Sequence, residues 1–344
     1  MLPRFITRRF SNDLAVDLGT ANTLVYVKGK GLAVNEPSVI AVRRNGGSSN
    51  KRVLAVGKEA KMMVGRTPGD IEAIRPLRDG VIADFDGAQA MLRHLIRKAH
   101  TGRNLIRPRI IVGVPSGITP VERKAVREAA QSAGASKVFL IDQPIAAAIG
   151  ADLPVTEPVC SMVVDIGGGT TQVAVMSLAG IVYGRSVRGG GNKMDDAIMQ
   201  YVKQRHNLLI GEQFAESIKT TIGNAVGDEV AEYLQIKGRD LPSGIPRSIT
   251  IDSNEVREAL SEPVRVIVET VKQALEEIPP ELSADLIGRG IVLTGGVALL
   301  KNLDRLLHRE TQVPIRIADD PLCAVALGAG KALDIGDILS QILN

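Results

Sequence analysis

The chain has 344 residues, 44% of them hydrophobic and 23% charged, with a net charge of +4. That length suffices for two domains, each with its own core, and the mild charge, with no aromatic-rich basic patch or nucleic-acid motif, argues against nucleic acid as a partner. No apolar run approaches the ~20 residues that cross a bilayer, and the two cysteines, Cys160 and Cys323, sit in apolar stretches, match no metal spacing and read as buried free thiols of a reducing cytoplasm.

The first ten residues, MLPRFITRRF, place Leu2, Phe5, Ile6 and Phe10 near helical spacing with Arg4, Arg8 and Arg9 between them. They are too short and too interrupted for a secretory signal peptide. They read as a basic amphipathic helix suited to an anionic membrane surface; the alternative is a disordered start. Beyond them the pattern is α/β. Strands are predicted over residues 14–18, 23–27, 38–43, 109–114, 137–141, 161–166, 172–176, 181–183 and 290–294. Helices are predicted over 84–100, 119–133, 192–205, 211–222, 253–278 and 298–309. Asp84 and the Thr119-Pro120 pair with Glu122 are helix starts, and Gly134 is a helix stop. The polar run RRNGGSSNKR (43–52) suits a hairpin tip, and the irregular stretch 224–250 suits a small subdomain.

Two stretches repeat one plan: LAVDLGTANTLVYV (14–27) and VVDIGGGTTQVAV (163–175) each run from an aliphatic strand into an Asp, glycines and threonines, then into another strand. Glycine lets backbone approach a ligand closely, and consecutive N–H groups in such a turn form an anion site. Thr20, Thr23, Thr170 and Thr171 add hydroxyls, and Asn22 an amide. Asp17 and Asp165 would repel a phosphate directly but can hold Mg²⁺, or its waters, against it. One such turn is weak as a signal. The pair, one in each half of the chain, suggests an internal duplication clamping a nucleoside triphosphate from both sides of a cleft.

These motifs, with LTGG at 293–296, resemble the two phosphate loops and the adenosine loop of the actin, sugar kinase and heat-shock chaperone superfamily. The stretches NEPSVIAV (35–42), RPLRDGVIADF (75–85), VPSGITPVERKAV (114–126) and ADDPLCAVALGAGK (318–331) resemble its bacterial actin-like cell-shape branch, the MreB family, and the similarity runs from about residue 12 to residue 335. The resemblance implies an actin-like, duplicated ribonuclease-H-like fold around a nucleotide cleft. It implies one domain from 12–147 plus 318–344, with a small subdomain near 34–78, and another over 148–317, with a small subdomain near 189–252. It further implies ATP or ADP with Mg²⁺ as ligands. Asp17 and Asp165 would organise the metal through water, while Gly19, Thr20, Ala21, Asn22, Gly167, Gly168, Gly169 and Thr170 would hold phosphates. Glu212, Glu216 and Lys219, on one helical face by their spacing, would reach ribose and adenine, with Gly295 and Gly296 beside them. From residues alone, that face equally fits a surface ion pair between Glu216 and Lys219.

Three positions depart from the family pattern. Gln143 stands where a glutamate usually positions the attacking water with help from Thr170 and Asp165; an amide can orient water but not take its proton, so hydrolysis is expected to be slow but not abolished. Gln172 replaces a second glutamate and, by alternation with Val173 and Val175, is expected to face away from the core with little effect on chemistry. Val297 replaces a third glycine beside the adenine pocket, leaving ATP against GTP preference open.

Leu105 and Ile106 are two apolar residues set among Arg103, Arg107 and Arg109; the resemblance implies that this loop inserts shallowly into lipid as a second weak anchor beside the N-terminal helix, the alternative being a loop tucked onto its own domain. The resemblance implies a homopolymer of paired protofilaments on the inner face of the cytoplasmic membrane. It also implies a transmembrane adaptor and wall-synthesis partners for keeping rod shape. A sugar or acid kinase on the same fold is the alternative, but no stretch resembles a kinase substrate loop and Gln143 is no strong base. For a chaperone ATPase, the chain ending at Asn344 leaves no room for a peptide-binding domain.

Overall fold

The computed structural model describes residues 13–44, 51–99, 107–227 and 230–334. Its frame is two five-stranded sheets of the same topology. In the first, Leu14–Leu18 pairs antiparallel with Asn22–Val27, which pairs antiparallel with Gly31–Pro37. On its other edge Leu14–Leu18 runs parallel to Arg109–Val114, and that strand runs parallel to Lys137–Asp142. The second sheet repeats this plan with Ser161–Ile166, Thr170–Ser177 and Gly180–Arg188 as the meander. Ile291–Thr294 and Ile315–Ile317 are its parallel strands. The duplication read from the two Asp-Gly turns is therefore a duplication of whole sheets.

Each sheet carries its own core. Leu14, Val16, Ile110 and Val112 meet Met91, Leu92 and Leu95 of the helix Phe85–Ala99. In the second half Met162, Val164 and Leu293 meet residues of the helices Gly191–His206, Glu212–Ile222 and Ser253–Glu277. With no Trp and few aromatics, burial is assembled from aliphatic side chains worth about 1.5–3 kcal/mol each when fully buried. The predicted helix start at Thr119 is a capping box: Glu122 N donates to Thr119 Oγ1, and Thr119 N donates to the Glu122 carboxylate. Gly87 N donates to Asp84 Oδ1 at the start of Phe85–Ala99.

A third core joins the halves. The helices Gln143–Gly150 and Ala324–Asp334 cross between the two sheets, packing Ala146, Ala147 and Ala329 against Ala15 of the first and Val163 and Ala174 of the second. The crossing is close because both helices present glycine at the contact. A Cβ on Gly150 would lie 1.9 Å from the Ala324 oxygen, and one on Gly328 would lie 1.8 Å from the Ala146 oxygen.

The structure adds elements that sequence periodicity passed over. Tyr233–Asp240 and Pro246–Asp252 form an antiparallel hairpin within the stretch read as irregular. Lys51–Val56 and Ile71–Ile74 flank the expected strand at Ile40–Arg44 on either side in a small sheet, the first of them across the expected hairpin tip. The helix expected over 298–309 is two pieces, a 3₁₀ turn Gly296–Leu299 and an α-helix Leu303–Thr311. Asn302, left-handed at φ 59°, separates them.

Candidate functional site

The two hairpin aspartates stand at equivalent places. Asp17 pairs across its hairpin with Leu24 and across the parallel ladder with Gly113. Asp165 pairs likewise with Gln172 and Thr294. Both carboxylates are buried and both line one cavity of about 450 Å³ between the sheets. Gln143 Nε2 donates to Asp17 Oδ1 at 2.9 Å, and Thr294 Oγ1 donates to Asp165 Oδ1 at 3.0 Å. Those bonds do not offset desolvation. Burial, then the charge of Asp165, pushes Asp17 up to about 7, and burial pushes Asp165 up to about 6. Two acids held this reluctantly as anions form a site that gains from a cation.

Among the described residues no cluster of three or more His, Cys, Asp or Glu could hold a metal directly. Two carboxylates at a polar cavity wall suit a hard divalent ion that keeps most of its water, as Mg²⁺ does. The residues present fit that group.

Around this pair the turns supply backbone. Gly19, Thr20, Ala21 and Asn22 come to the cavity from the first hairpin, and Gly167, Gly168, Gly169 and Thr170 from the second. The turns touch: a Cβ on Gly168 would lie 2.5 Å from Ala21 Cβ, and one on Gly169 would lie 2.6 Å from Thr20 Oγ1. Glycine there sets how closely the two halves approach. Two expected hydroxyl donors are used elsewhere. Thr23, fully buried, shares a 2.9 Å hydrogen bond with Ser38 Oγ, and Thr171 donates to the Gly189 oxygen at 3.0 Å. They brace the turns, leaving Thr20 and Thr170 at the cavity.

The outer wall comes from Glu212–Ile222. Glu216 and Lys219 line the cavity with Gly295, Gly296 and Val297. The local Glu216–Lys219 pair is not formed. Lys219 Nζ lies 2.8 Å from Asp195 Oδ1 and donates to the Gly191 oxygen, while Glu216 Oε2 lies 2.6 Å from Lys61 Nζ across the cleft. Glu212 is not on the cavity wall; its carboxylate is engaged by Arg75, also from the opposite half. Sequence reading missed Lys61, Arg75 and Asp195 because their partners are distant in the chain. The run GGGN at 189–192, glycines opening a helix, was the available signal for the Asp195 side; there Gly191 N and Asn192 N donate to the oxygens of Gly167 and Gly168.

Gln172 requires a correction. It does not turn away from the core: it is 0% exposed. Its Oε1 accepts from Ser116 N at 2.9 Å, and its Nε2 donates to Gln143 Oε1 at 2.8 Å. Strand Thr170–Ser177 is buried on both faces, so alternation does not point one side to solvent. The remaining expected residues, Leu2, Phe5, Ile6, Phe10, Leu105 and Ile106, lie outside the described residues. Among the described residues no helix is long and apolar enough to cross a membrane.

Comparison with known proteins agrees with this geometry. The family described as MreB/Mbl protein matches residues 11–341. The cell shape-determining protein MreB of Escherichia coli (strain K12) is 57% identical over 340 residues, covering 96% of this chain and 97% of that protein. The cell shape-determining protein Mbl of Bacillus subtilis (strain 168) is 51% identical over 332 residues, 96% of this chain and 98% of its own. Among solved structures, MreB5 of Spiroplasma citri bound to AMPPNP superposes with a TM-score of 0.89 at 37% identity, over 96% of this chain and 98% of that one. A chain of the MamK double helical filament superposes at 0.78 with 22% identity over 94% and 99%, a likeness of fold alone. The architecture is the actin-like fold.

Proposed function

Since the chain belongs to the MreB/Mbl family of cell shape-determining proteins, we propose that it binds Mg-ATP in the cleft and polymerises with it. In this reading the filament lies on the inner face of the cytoplasmic membrane and organises wall synthesis to maintain rod shape. The observation that carries it is the facing pair of buried carboxylates, Asp17 and Asp165, each on an equivalent hairpin and flanked by glycine turns from both halves. Solved relatives bound to AMPPNP and to ADP support the choice of ligand.

Asp17 and Asp165 would hold the water shell of Mg²⁺. The metal, when bound, would supply positive charge against the phosphates and favour the ionised form of two carboxylates that burial otherwise disfavours. The glycine turns present backbone to the phosphates, with Thr20 and Thr170 adding hydroxyls. Lys219, fixed by Asp195, and Glu216 border the space left for the nucleoside, with Gly295, Gly296 and Val297. Gln143, anchored on Asp17, orients water but cannot take its proton, so turnover is slow.

Membrane contact rests on the sequence pattern at Leu2, Phe5, Ile6 and Phe10 and at Leu105 and Ile106. A polymer multiplies such weak anchors by raising effective concentration. High-speed sedimentation with Mg-ATP, against nucleotide-free protein, tests polymerisation: the protein pellets only with nucleotide. Protein that stays soluble at every concentration contradicts the reading. With liposomes of anionic lipid, deletion of residues 2–10 weakens co-sedimentation, and Leu105→Ser with Ile106→Ser weakens it further.

A further inference from the structure

A row of hydrogen bonds links the two halves of the molecule beneath the cleft: Ser116 N to Gln172 Oε1, Gln172 Nε2 to Gln143 Oε1, and Gln143 Nε2 to Asp17 Oδ1, at 2.9, 2.8 and 2.9 Å. Its direction is fixed at the Ser116 end. A backbone N–H can only donate, so Gln172 meets it with Oε1 and passes its Nε2 to Gln143 Oε1, which leaves the Gln143 Nε2 for Asp17. The amide orientations of both glutamines follow from that, with no freedom to flip. Both side chains are buried, Gln172 at 0% exposure and Gln143 at 6%, so a reversed amide would leave donors and acceptors unmatched away from water.

We propose that Gln172 is a positioning residue for nucleotide hydrolysis, acting through the Gln143 amide. The proposal rests on the reading of the cleft as a site of slow ATP hydrolysis. In that step the oxygen of a water bonds to the terminal phosphorus and the bond from phosphorus to the bridging oxygen breaks. The electron pair leaves with ADP, and the water's protons end on released phosphate and in solvent. Gln143 cannot take a proton, so its contribution is orientation alone. Its Oε1 has two lone pairs; Gln172 occupies one and leaves the other to accept from the water. Gln172 comes from the second half and Gln143 from the first, so the amide that faces the water is set by a residue across the cleft.

Substitution separates this role from plain packing. In Gln172→Glu the carboxylate still accepts from Ser116 N but cannot donate. Gln143 must then turn its Nε2 toward it, leaving Oε1 against the Asp17 carboxylate. Gln172→Met keeps the volume and removes both bonds. Single-turnover phosphate release is measured for these variants, for Gln143→Ala, and for each combined with Gln143→Ala. The expected result is a loss of about tenfold or more in rate for Gln172→Glu and Gln172→Met, with affinity for Mg-ATP within about twofold of the parent, and no further loss in the Gln143→Ala background. Equal factors in both backgrounds, or no loss in the parent, overturn the proposal. A Gln143→Ala protein that hydrolyses at the parent rate, or a parent that binds ATP but releases no phosphate, overturns the hydrolysis reading and this inference with it.

A second readout needs no turnover. In the nucleotide-free parent labelled at glutamine side chains, the Nε2 protons of Gln143 and Gln172 exchange slowly with solvent, and Gln172→Met shifts the Gln143 amide resonance. Fast exchange of both amides in the folded parent contradicts the network.

Discussion

Asp17→Asn is expected to stabilise the nucleotide-free protein while abolishing its response to Mg-ATP. Burial and the neighbouring Asp165 raise Asp17 from 3.8 to about 7, so the folded state binds this proton more tightly than the unfolded state. The stability that comes with the proton is complete below pH 3.8 and is lost as pH rises through about 7. Asparagine removes that loss, carries no charge and keeps an oxygen to accept from Gln143 Nε2. At about 1.4 kcal/mol per pH unit, the advantage of the variant grows by about 2–3 kcal/mol between pH 5 and pH 8. For a chain of this size that is about 3–4 °C in melting temperature. The assay is a thermal melt of parent and variant in EDTA at both pH values, then with Mg-ATP at pH 8. The parent gains stability from the nucleotide and the variant does not. An advantage that stays flat or shrinks from pH 5 to pH 8 refutes the claim that this carboxylate is held under strain.

Three further outcomes follow from the same contacts. Gly169→Ala places a Cβ 2.6 Å from Thr20 Oγ1 and 2.9 Å from Thr20 Cβ; overpacking of about 1–3 kcal/mol separates the turns, lowers the melting temperature by a few degrees at most, and makes Mg-ATP affinity about tenfold weaker or worse by calorimetric titration. Lys61→Ala with Arg75→Ala removes both ion pairs across the cleft, to Glu216 and Glu212. These groups are partly exposed, so each pair contributes about 0.5–1 kcal/mol, and stopped-flow dissociation of a fluorescent ADP analogue speeds up about fivefold; an unchanged rate shows that the pairs do not hold the cleft closed. Lys219→Ala strands the Asp195 carboxylate, which burial already pushes up to about 6, and costs about 3 kcal/mol in chemical denaturation; Asp195→Asn in the same chain recovers most of it.

Much of the frame was legible because it is written locally. The hairpins at Asp17 and Asp165 carry their own strand-turn-strand pattern, and the Thr119, Pro120 and Glu122 triplet marks its helix within four residues. The hairpin of Tyr233–Asp240 and Pro246–Asp252 was not read, because its strands are largely exposed and polar, with Ile236 and Ile251 among the few buried apolar side chains. Gln143–Gly150 was also passed over: eight residues with buried apolar positions all round lack the one-sided period that marks a surface helix. At the site, residue types and spacing identified the turns but not the partners. Lys61 with Glu216 and Arg75 with Glu212 join residues whose meeting depends on how the two halves close, and Lys219 with Asp195 depends on how two helices of the second half pack; no local pattern encodes either. Gln172 was misassigned for a related reason. Alternation separates a wet face from a dry one, and its strand, in the middle of a sheet covered on both sides, has no wet face.

The most direct test of the account is equilibrium titration of the nucleotide-free protein with ATP, with Mg²⁺ and with EDTA, alongside Asp165→Asn. The two buried carboxylates make the metal part of the ligand, so tight binding requires Mg²⁺ and is lost in the variant, whose fold is retained. Binding of equal strength with EDTA, or in Asp165→Asn, would contradict the central claim that the duplicated aspartates build a Mg-nucleotide site.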